Sequence, residues 1–420
     1  MPHAGTAIEA QIVNFGNTPS QLLERAHAPR GAAHAKPAAS LIVAPGQSRL
    51  YFNKLLGDSA VLAVAARAER IVTVAADRRA SCHGWRPHAP NEAGKELPFH
   101  LDTGRAPRLL FGVPFADDQR QATTRFAASG DGRLLYSCGY WDHSLKVTQL
   151  ADGRSLQSVR AHTDVVSCLA LSDDGSTLVT GSRDTTLMVW PLVGHHGGAP
   201  SSSAIAGRMG VGGGGAAAAA GLLPDKPRHV LHGHDDEVTC VVVSAALDTV
   251  VSGSADGTAI VHALRTGQYV RTVEQPSLHG VDLLALSSTG TLVLFSRTDT
   301  SLHTCTFNQR HRQPPLASAA AAERLAAVVF SQSGEVVLTA GEAGAVVLRR
   351  AIDLRVLHRL TAGGVGSGPP APLHCLSLTA DEQFVLAGSQ SGHLLIWGVP
   401  AQAIARSLLD NLDRTLGLSF

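Results

Sequence analysis

Seven times along this chain a run of small and β-branched residues ends in a tight polar turn, and that recurrence constrains the fold more than any bulk property. The fullest copy is AHTDVVSCLALSDDGSTLVTGSRDTTLMVWPLV, Ala161 to Val193. It reads as a histidine, an apolar strand from Val165 to Leu171, and a polar turn from Ser172 to Gly175. A second strand from Thr177 to Ser182 follows, then a tight turn carrying Asp184 and a third strand ending at Trp190. Three short strands joined by turns make a sheet too small to stand alone. Such a unit needs copies of itself as neighbours.

Asp184 serves as a register mark. A second copy, Gly233 to Leu264, has its mark at Asp256. In both copies a histidine lies 22 residues before the mark (His162, His234) and a cysteine 16 before it (Cys168, Cys240). In a third copy Cys375 lies 16 before Ser391 and Trp397 six after it, as Trp190 lies six after Asp184. Weaker copies put marks at Asp77, Asp142, Asp299 and Ala343. The seven marks are 65, 42, 72, 43, 44 and 48 residues apart. Four of these intervals lie near a repeat length of about 40–45 residues, and the two long ones contain insertions. The residues 16 before the marks are Val61, Phe126, Cys168, Cys240, Leu283, Ala327 and Cys375, all apolar or small, as an inward first-strand position requires. The predicted fold is all-β: seven blades closed into a ring that leaves no long edge free.

The order His162, Ser182, Asp184, Trp190 resembles a WD40 repeat. The resemblance implies that these four residues form the family's structural tetrad, a buried chain of mutually satisfied polar groups. The Gly233 copy keeps His234, Ser254 and Asp256 but has His262 where the tryptophan belongs. The last copy keeps Ser389 and Trp397 and replaces the aspartate by Ser391.

Residues 1–30 do not read as part of a propeller. Ile8 to Val13 is a short amphipathic helical piece, ended by Gly16 and Pro19. The stretch EAQIVNFGNTPSQLL resembles the closing segment of a BEACH domain through Ile12, Asn14, Phe15, Gly16, Thr18, Pro19, Gln21 and Leu22. The blades between Asp131 and Thr272 are similar to those of neurobeachin-like and beige-like proteins. The expected organisation is a BEACH-domain remnant over 1–30, a small-residue linker over 31–40, a WD40 propeller over 41–400, and a tail or closing strand over 401–420. Because no BEACH body or pleckstrin-like domain precedes Met1, the chain is expected to be a fragment of a longer protein or one that has lost that module. Leu41 to Val43 with Leu50 to Phe52, or else Gln402 to Leu409, can supply the strand that closes the ring. The insertions are Arg86 to Arg108 and residues 194–224; the second, centred on GVGGGGAAAAAG, is too poor in large apolar side chains to order itself.

A net charge of +1, with 44% hydrophobic and 16% charged residues, describes a soluble globular chain and argues against a nucleic-acid surface. The six cysteines include no C-x-x-C pair, so reduced core thiols in a cytoplasmic protein are expected rather than disulfides or a metal site. There is neither an apolar run approaching about 18 residues nor a basic-then-apolar leader. The richest ligand-like stretch, HVLHGHDDE from His229 to Glu237, reads as a blade-entry turn rather than a zinc site. No G-x-S-x-G elbow or paired-carboxylate pattern appears, and no catalytic residue, cofactor or metal is expected. The expectation is a non-enzymatic interaction scaffold that meets other proteins through the propeller faces, with Tyr140, Trp141, Arg183 and Arg297 as candidate contacts, types that dominate binding hot spots. The family resemblance implies vesicle or membrane trafficking or autophagy-related assembly, with membrane contact only indirect. An adaptor or substrate receptor of a ubiquitin ligase or signalling complex is the alternative.

Overall fold

The computed structural model describes residues 50–67, 69–87, 99–102, 108–109, 115, 122–192, 221–275, 277, 279–306, 317–321, 323–361 and 370–399. They build seven antiparallel sheets, each an up-and-down meander numbered here in chain order. Blade 1 comprises Val61–Arg67, Arg70–Ala75, Arg79–Pro87 and Phe99–Asp102, with Arg108–Leu109 also paired to its third strand. Blade 2 comprises Phe126–Ala128, Leu134–Ser137, Leu145–Gln149 and Ser155–Val159, and blade 3 Val166–Leu171, Thr177–Ser182, Leu187–Pro191 and His229–Leu231. Blade 4 comprises Val238–Ser244, Thr249–Ser254, Thr258–Ala263 and Tyr269–Glu274, and blade 5 Leu283–Leu286, Thr291–Phe295, Ser301–Thr306 and Ala317–Ala320. Blade 6 comprises Leu325–Phe330, Val336–Gly341, Ala345–Arg350 and Val356–Thr361. Blade 7 takes Leu373–Leu378, Phe384–Ser389 and His393–Gly398 from the end of the described chain and its outermost strand, Leu50–Leu55, from the beginning.

First strands of successive blades pack on one another all the way round, blade 7 against blade 1 included. The apolar core is divided accordingly, with a separate cluster at each of the seven seams. All seven register marks sit in the turn between second and third strands. The residue after each mark, Arg78, His143, Thr185, Gly257, Thr300, Gly344 and Gly392, has a positive φ. One turn geometry is therefore repeated seven times, although three blades supply glycine there and four carry a side chain.

The three cysteines 16 before their marks lie opposite glycines: Cys168 faces Gly181, Cys240 faces Gly253 and Cys375 faces Gly388. A Cβ at Gly181 would stand 2.6 Å from Val238 Cγ1 and 2.8 Å from Cys168 Sγ, and Gly253 and Gly388 are hemmed in alike by Val281 and Val61. Glycine, thiol and the next blade's valine thus form a repeated joint that lets first strands approach closely. Burial pushes the Cys375 thiol up to about 12, so it packs as a neutral group. In blade 1 the residue opposite Val74 is Ala63 rather than Val61, because its first turn is two residues shorter. An even shift leaves every side chain on its original face.

Two expectations are corrected and one open choice is settled. The first insertion does not run unbroken from Arg86 to Arg108, since Arg86 and Pro87 belong to the third strand of blade 1 and Phe99–Asp102 is its fourth. Phe99, 2% exposed and packed on Trp85, supplies the apolar anchor for that strand. The second insertion is not loose to its end: Leu223 is buried, and its backbone carbonyl and N–H pair with the Gln157 side-chain amide at 2.8 and 2.9 Å. Of the candidates for the closing strand, the Leu50 to Phe52 run is the one used, within the strand Leu50–Leu55; Leu41 to Val43, Gln402 to Leu409, the 1–30 segment, the 31–40 linker and the 401–420 tail lie outside the described residues.

Candidate functional site

In a four-stranded meander the turn between second and third strands and the link to the next blade emerge on the same face. That face gathers the register marks, the histidines and the candidate contacts. Blade 3 builds its polar chain from four elements. Trp190 Nε1–H donates to Thr180 Oγ1 at 3.1 Å, the Thr180 hydroxyl meets His162 Nε2 at 3.0 Å, and His162 Nδ1–H donates to Asp184 Oδ2 at 3.0 Å. Asp184 also accepts from the Thr163 and Thr186 backbone N–H groups at 2.9 and 3.0 Å and from the Thr186 hydroxyl at 2.6 Å. Burial alone would raise this carboxyl; the His162 and Thr186 hydrogen bonds outweigh it and hold Asp184 well below the usual carboxylate range.

The hydroxyl in this chain is Thr180 and not Ser182. Ser182 and Thr180 share a strand face, and TGSRD offers both, so distance decides. The Ser182 side chain turns to the Val165 carbonyl at 3.0 Å and caps the turn by accepting from the Asp184 N–H at 3.2 Å. Blade 4 repeats the correction: His234 joins Asp256 at 3.0 Å and Ser252 at 2.8 Å, while Ser254 bonds the Asp236 carbonyl and the Asp256 N–H. In blade 7 Ser389 is likewise a turn residue, bonded to Ser391 and the His393 N–H. Ala387 stands at the hydroxyl position, so Trp397 Nε1 reaches instead to the Thr361 carbonyl of blade 6 at 3.3 Å.

Removing the shared acceptor should therefore hurt more than removing the turn hydroxyl. Thr180→Val leaves both Trp190 Nε1 and His162 Nε2 without a partner, an expected loss of about 2–3 kcal/mol, whereas Ser182→Ala should cost about 1 kcal/mol. Denaturant melts of the two variants check the order, and a larger loss for Ser182→Ala would restore the serine to the chain.

The place six residues after the mark is filled differently in each blade: His83, Thr148, Trp190, His262, Cys305, Arg349 and Trp397. Of the four-residue chains, blade 3 alone among the described blades is complete. In blade 1 His83 Nε2 lies 3.4 Å from Thr73 Oγ1 and its Nδ1 has no partner among the described residues. Burial, reinforced by the Lys54 charge, pushes His83 down to about 4. A folded value below the ordinary ~6.5 means stability is full above about pH 6.5 and is lost as pH falls towards 4. The expected loss from His83 is about 2–3 kcal/mol between pH 7 and pH 4. Thermal melts of wild type and His83→Asn across this range should show a shallower decline for the variant; parallel declines would assign the acid sensitivity to other groups.

The candidate contacts separate on inspection. Tyr140 is fully buried: its hydroxyl donates to Ser137 Oγ at 2.8 Å, its ring stacks on Phe115 at 5.3 Å, and Lys146 Nζ lies 4.2 Å from its centroid. It is a core residue and not a surface contact. Trp141, the next residue, is 58% exposed. Arg183 reaches across a seam to Glu237 at 3.2 Å, and Arg297 reaches the Leu325 carbonyl of blade 6 at 3.5 Å while its N–H donates to Asp282 at 2.7 Å. Both arginines tie neighbouring blades, a role invisible without knowing which turn faces which entry loop. The histidines of HVLHGHDDE point apart: His229 Nε2 bonds the Arg265 carbonyl at 2.8 Å, and His234 is held in its blade's polar chain. No group of three metal-ligating side chains converges among the described residues.

Comparison with known proteins agrees with this architecture. A family model described as the neurobeachin beta propeller domain matches residues 105–407. The chain is 35% identical over 413 residues to BEACH domain-containing protein B of Arabidopsis thaliana, covering 94% of this chain and 15% of that protein. It is 26% identical over 429 residues to a putative neurobeachin homolog of Caenorhabditis elegans, covering 94% and 16%. BEACH domain-containing protein lvsE of Dictyostelium discoideum is 26% identical over 286 residues, covering 64% and 11%. The chain thus spans less than a fifth of the length of these relatives. Seven blades closed by an N-terminal strand, and a match that runs through most of them, mean that this chain belongs to the BEACH–WD40 family of neurobeachin-like proteins.

Proposed function

We propose that this chain is a non-enzymatic protein-interaction scaffold acting in vesicle or membrane trafficking or autophagy-related assembly at the cytosolic face of endomembranes. Family membership carries the reading, since the match to the neurobeachin propeller spans most of the blades. A rigid ring supports it physically: polar chains and seam ties fix the loops of one face as a preformed surface, which lowers the entropy lost on binding. Membrane association comes through partners; no helix of the described residues is long and apolar enough to cross a bilayer.

Proximity labelling from the endogenously tagged protein, combined with fractionation, tests this reading. Enrichment of vesicle-tethering, coat or autophagy components in a membrane-associated fraction is the expected result. Enrichment of ubiquitin-ligase subunits without them would replace it by the substrate-receptor reading.

A further inference from the structure

On the face that carries the register marks, one large aromatic stands out from the surface. Trp141 is 58% exposed, whereas Trp85, Trp190 and Trp397 are 4%, 1% and 1% exposed. The equivalent residues of the other blades, one before each mark, are Ala76, Arg183, Ala255, Thr298, Glu342 and Gln390. The turn beneath Trp141 is firmly held. Tyr140 is locked in the core, and Asp142 accepts from the Ser144 hydroxyl at 2.6 Å and from Arg160 at 3.2 Å. The indole is thus presented on a rigid base, so a ligand stacking on it orders little further backbone.

The surroundings of Trp141 have a definite charge. From its turn onward, a polar contact crosses each of the next two seams. His143 Nε2 lies 4.0 Å from Asp164 at the entry to blade 3, and Arg183 of blade 3 lies 3.2 Å from Glu237 at the entry to blade 4. Asp235 and Asp236 follow on the same entry loop, both exposed. The arc therefore carries Asp142, Asp164, Asp235, Asp236 and Glu237 against Arg160, Arg183 and Lys146. Arg160 and Arg183 are engaged by carboxylates, and Lys146 lies over the Tyr140 ring. The Asp235 and Asp236 carboxylates have no ion-pair partner among the described residues; Asp236 accepts from the Glu237 N–H. An open π-face beside a net-negative rim is complementary to guanidinium or ammonium groups.

We propose that the arc of this face from blade 2 to blade 4 docks an extended basic peptide segment of a protein partner. One arginine or lysine stacks on Trp141, and a second meets Asp235 and Asp236. This rests on the scaffold reading and adds to it a partner chemistry and a place on the ring. The affinity of such a segment falls with salt because the contacts are exposed.

Titration of the protein with a fluorescein-labelled (Arg-Gly)4 peptide, read by anisotropy and by quenching of the exposed tryptophan, tests the proposal. A saturable Kd on the order of 10–100 μM at low salt is expected, with no binding of (Glu-Gly)4. Trp141→Ala and the pair Asp235→Asn with Asp236→Asn should each weaken it at least fivefold. Tyr269→Ala, which removes an aromatic 59% exposed on the outer strand of blade 4, should leave it unchanged. Circular dichroism melts of each variant confirm that the ring is intact. Absence of saturable (Arg-Gly)4 binding, equal binding of (Glu-Gly)4, or binding indifferent to Trp141 and the aspartates would overturn the proposal. Such a result leaves the proximity-labelling outcome untouched, because that experiment asks whether partners exist and not where they sit.

Discussion

Replacing Leu50 and Phe52 together by aspartate is expected to open the ring and lower stability by about 5 kcal/mol or more, a drop in Tm on the order of 10 °C. Leu50 pairs with Trp397 and Phe52 with Ile396, and the two side chains are 5% and 9% exposed. They enter different seams, Leu50 between blades 6 and 7 and Phe52 between blades 7 and 1. Tyr51 adds edge contacts to Phe99 at 6.3 Å and Phe384 at 5.9 Å, and Gly398 leaves the space its ring occupies. Aspartates here place unpaired charges in apolar seams and release the third strand of blade 7 as a free edge. Leu156→Asp, on the partly exposed outer strand of blade 2, should change Tm by little. Thermal melts with size-exclusion chromatography check both; an unshifted, monodisperse double variant would show that another segment closes the ring.

The second large effect is expected at Asp184. Asp184→Ala removes the acceptor for His162 Nδ1, two backbone N–H groups and the Thr186 hydroxyl, and should cost about 3 kcal/mol. Ser391→Ala, at the same turn position of blade 7, removes only links to Ser389 and His393 and should cost about 1 kcal/mol or less. Denaturant midpoints of the two variants give the comparison. The acid limb carries a further signature. Because the folded carboxyl of Asp184 is depressed, its contribution is complete above the ordinary carboxylate value near 4 and is lost as pH falls below it. The wild-type advantage over Asp184→Ala should therefore shrink below pH 4. A constant difference down to the most acid conditions would mean that the carboxylate charge contributes nothing.

Much of this architecture was legible as spacing. The seven marks could be placed because the turn residue stands at fixed offsets from its blade's other anchor positions, as Cys168, Cys240 and Cys375 lie 16 before their marks and Trp190 and Trp397 six after theirs. The candidate site was less legible, and Tyr140 and Trp141 show why. They are adjacent in the sequence and similar in type, yet one is fully buried and the other 58% exposed. A turn reverses direction within one residue, so periodicity cannot say which aromatic enters the core. Arg183 and Arg297 were hidden for another reason: their partners, Glu237 and the Leu325 carbonyl, belong to the next blade.

By itself, the sequence determined the number of blades, their order and the faces of their strands, because a period of two and a repeat length are properties of the chain alone. Tertiary structure decided which hydroxyl completes each polar chain. Thr180 and Ser182 lie on one strand face, and only the distances to His162 and Trp190 distinguish them. It also decided that Leu50–Leu55 closes the ring. That strand and its partner, His393–Gly398, are separated by nearly the whole propeller, and no local pattern records a pairing that exists only once all seven blades have bent the chain into a circle.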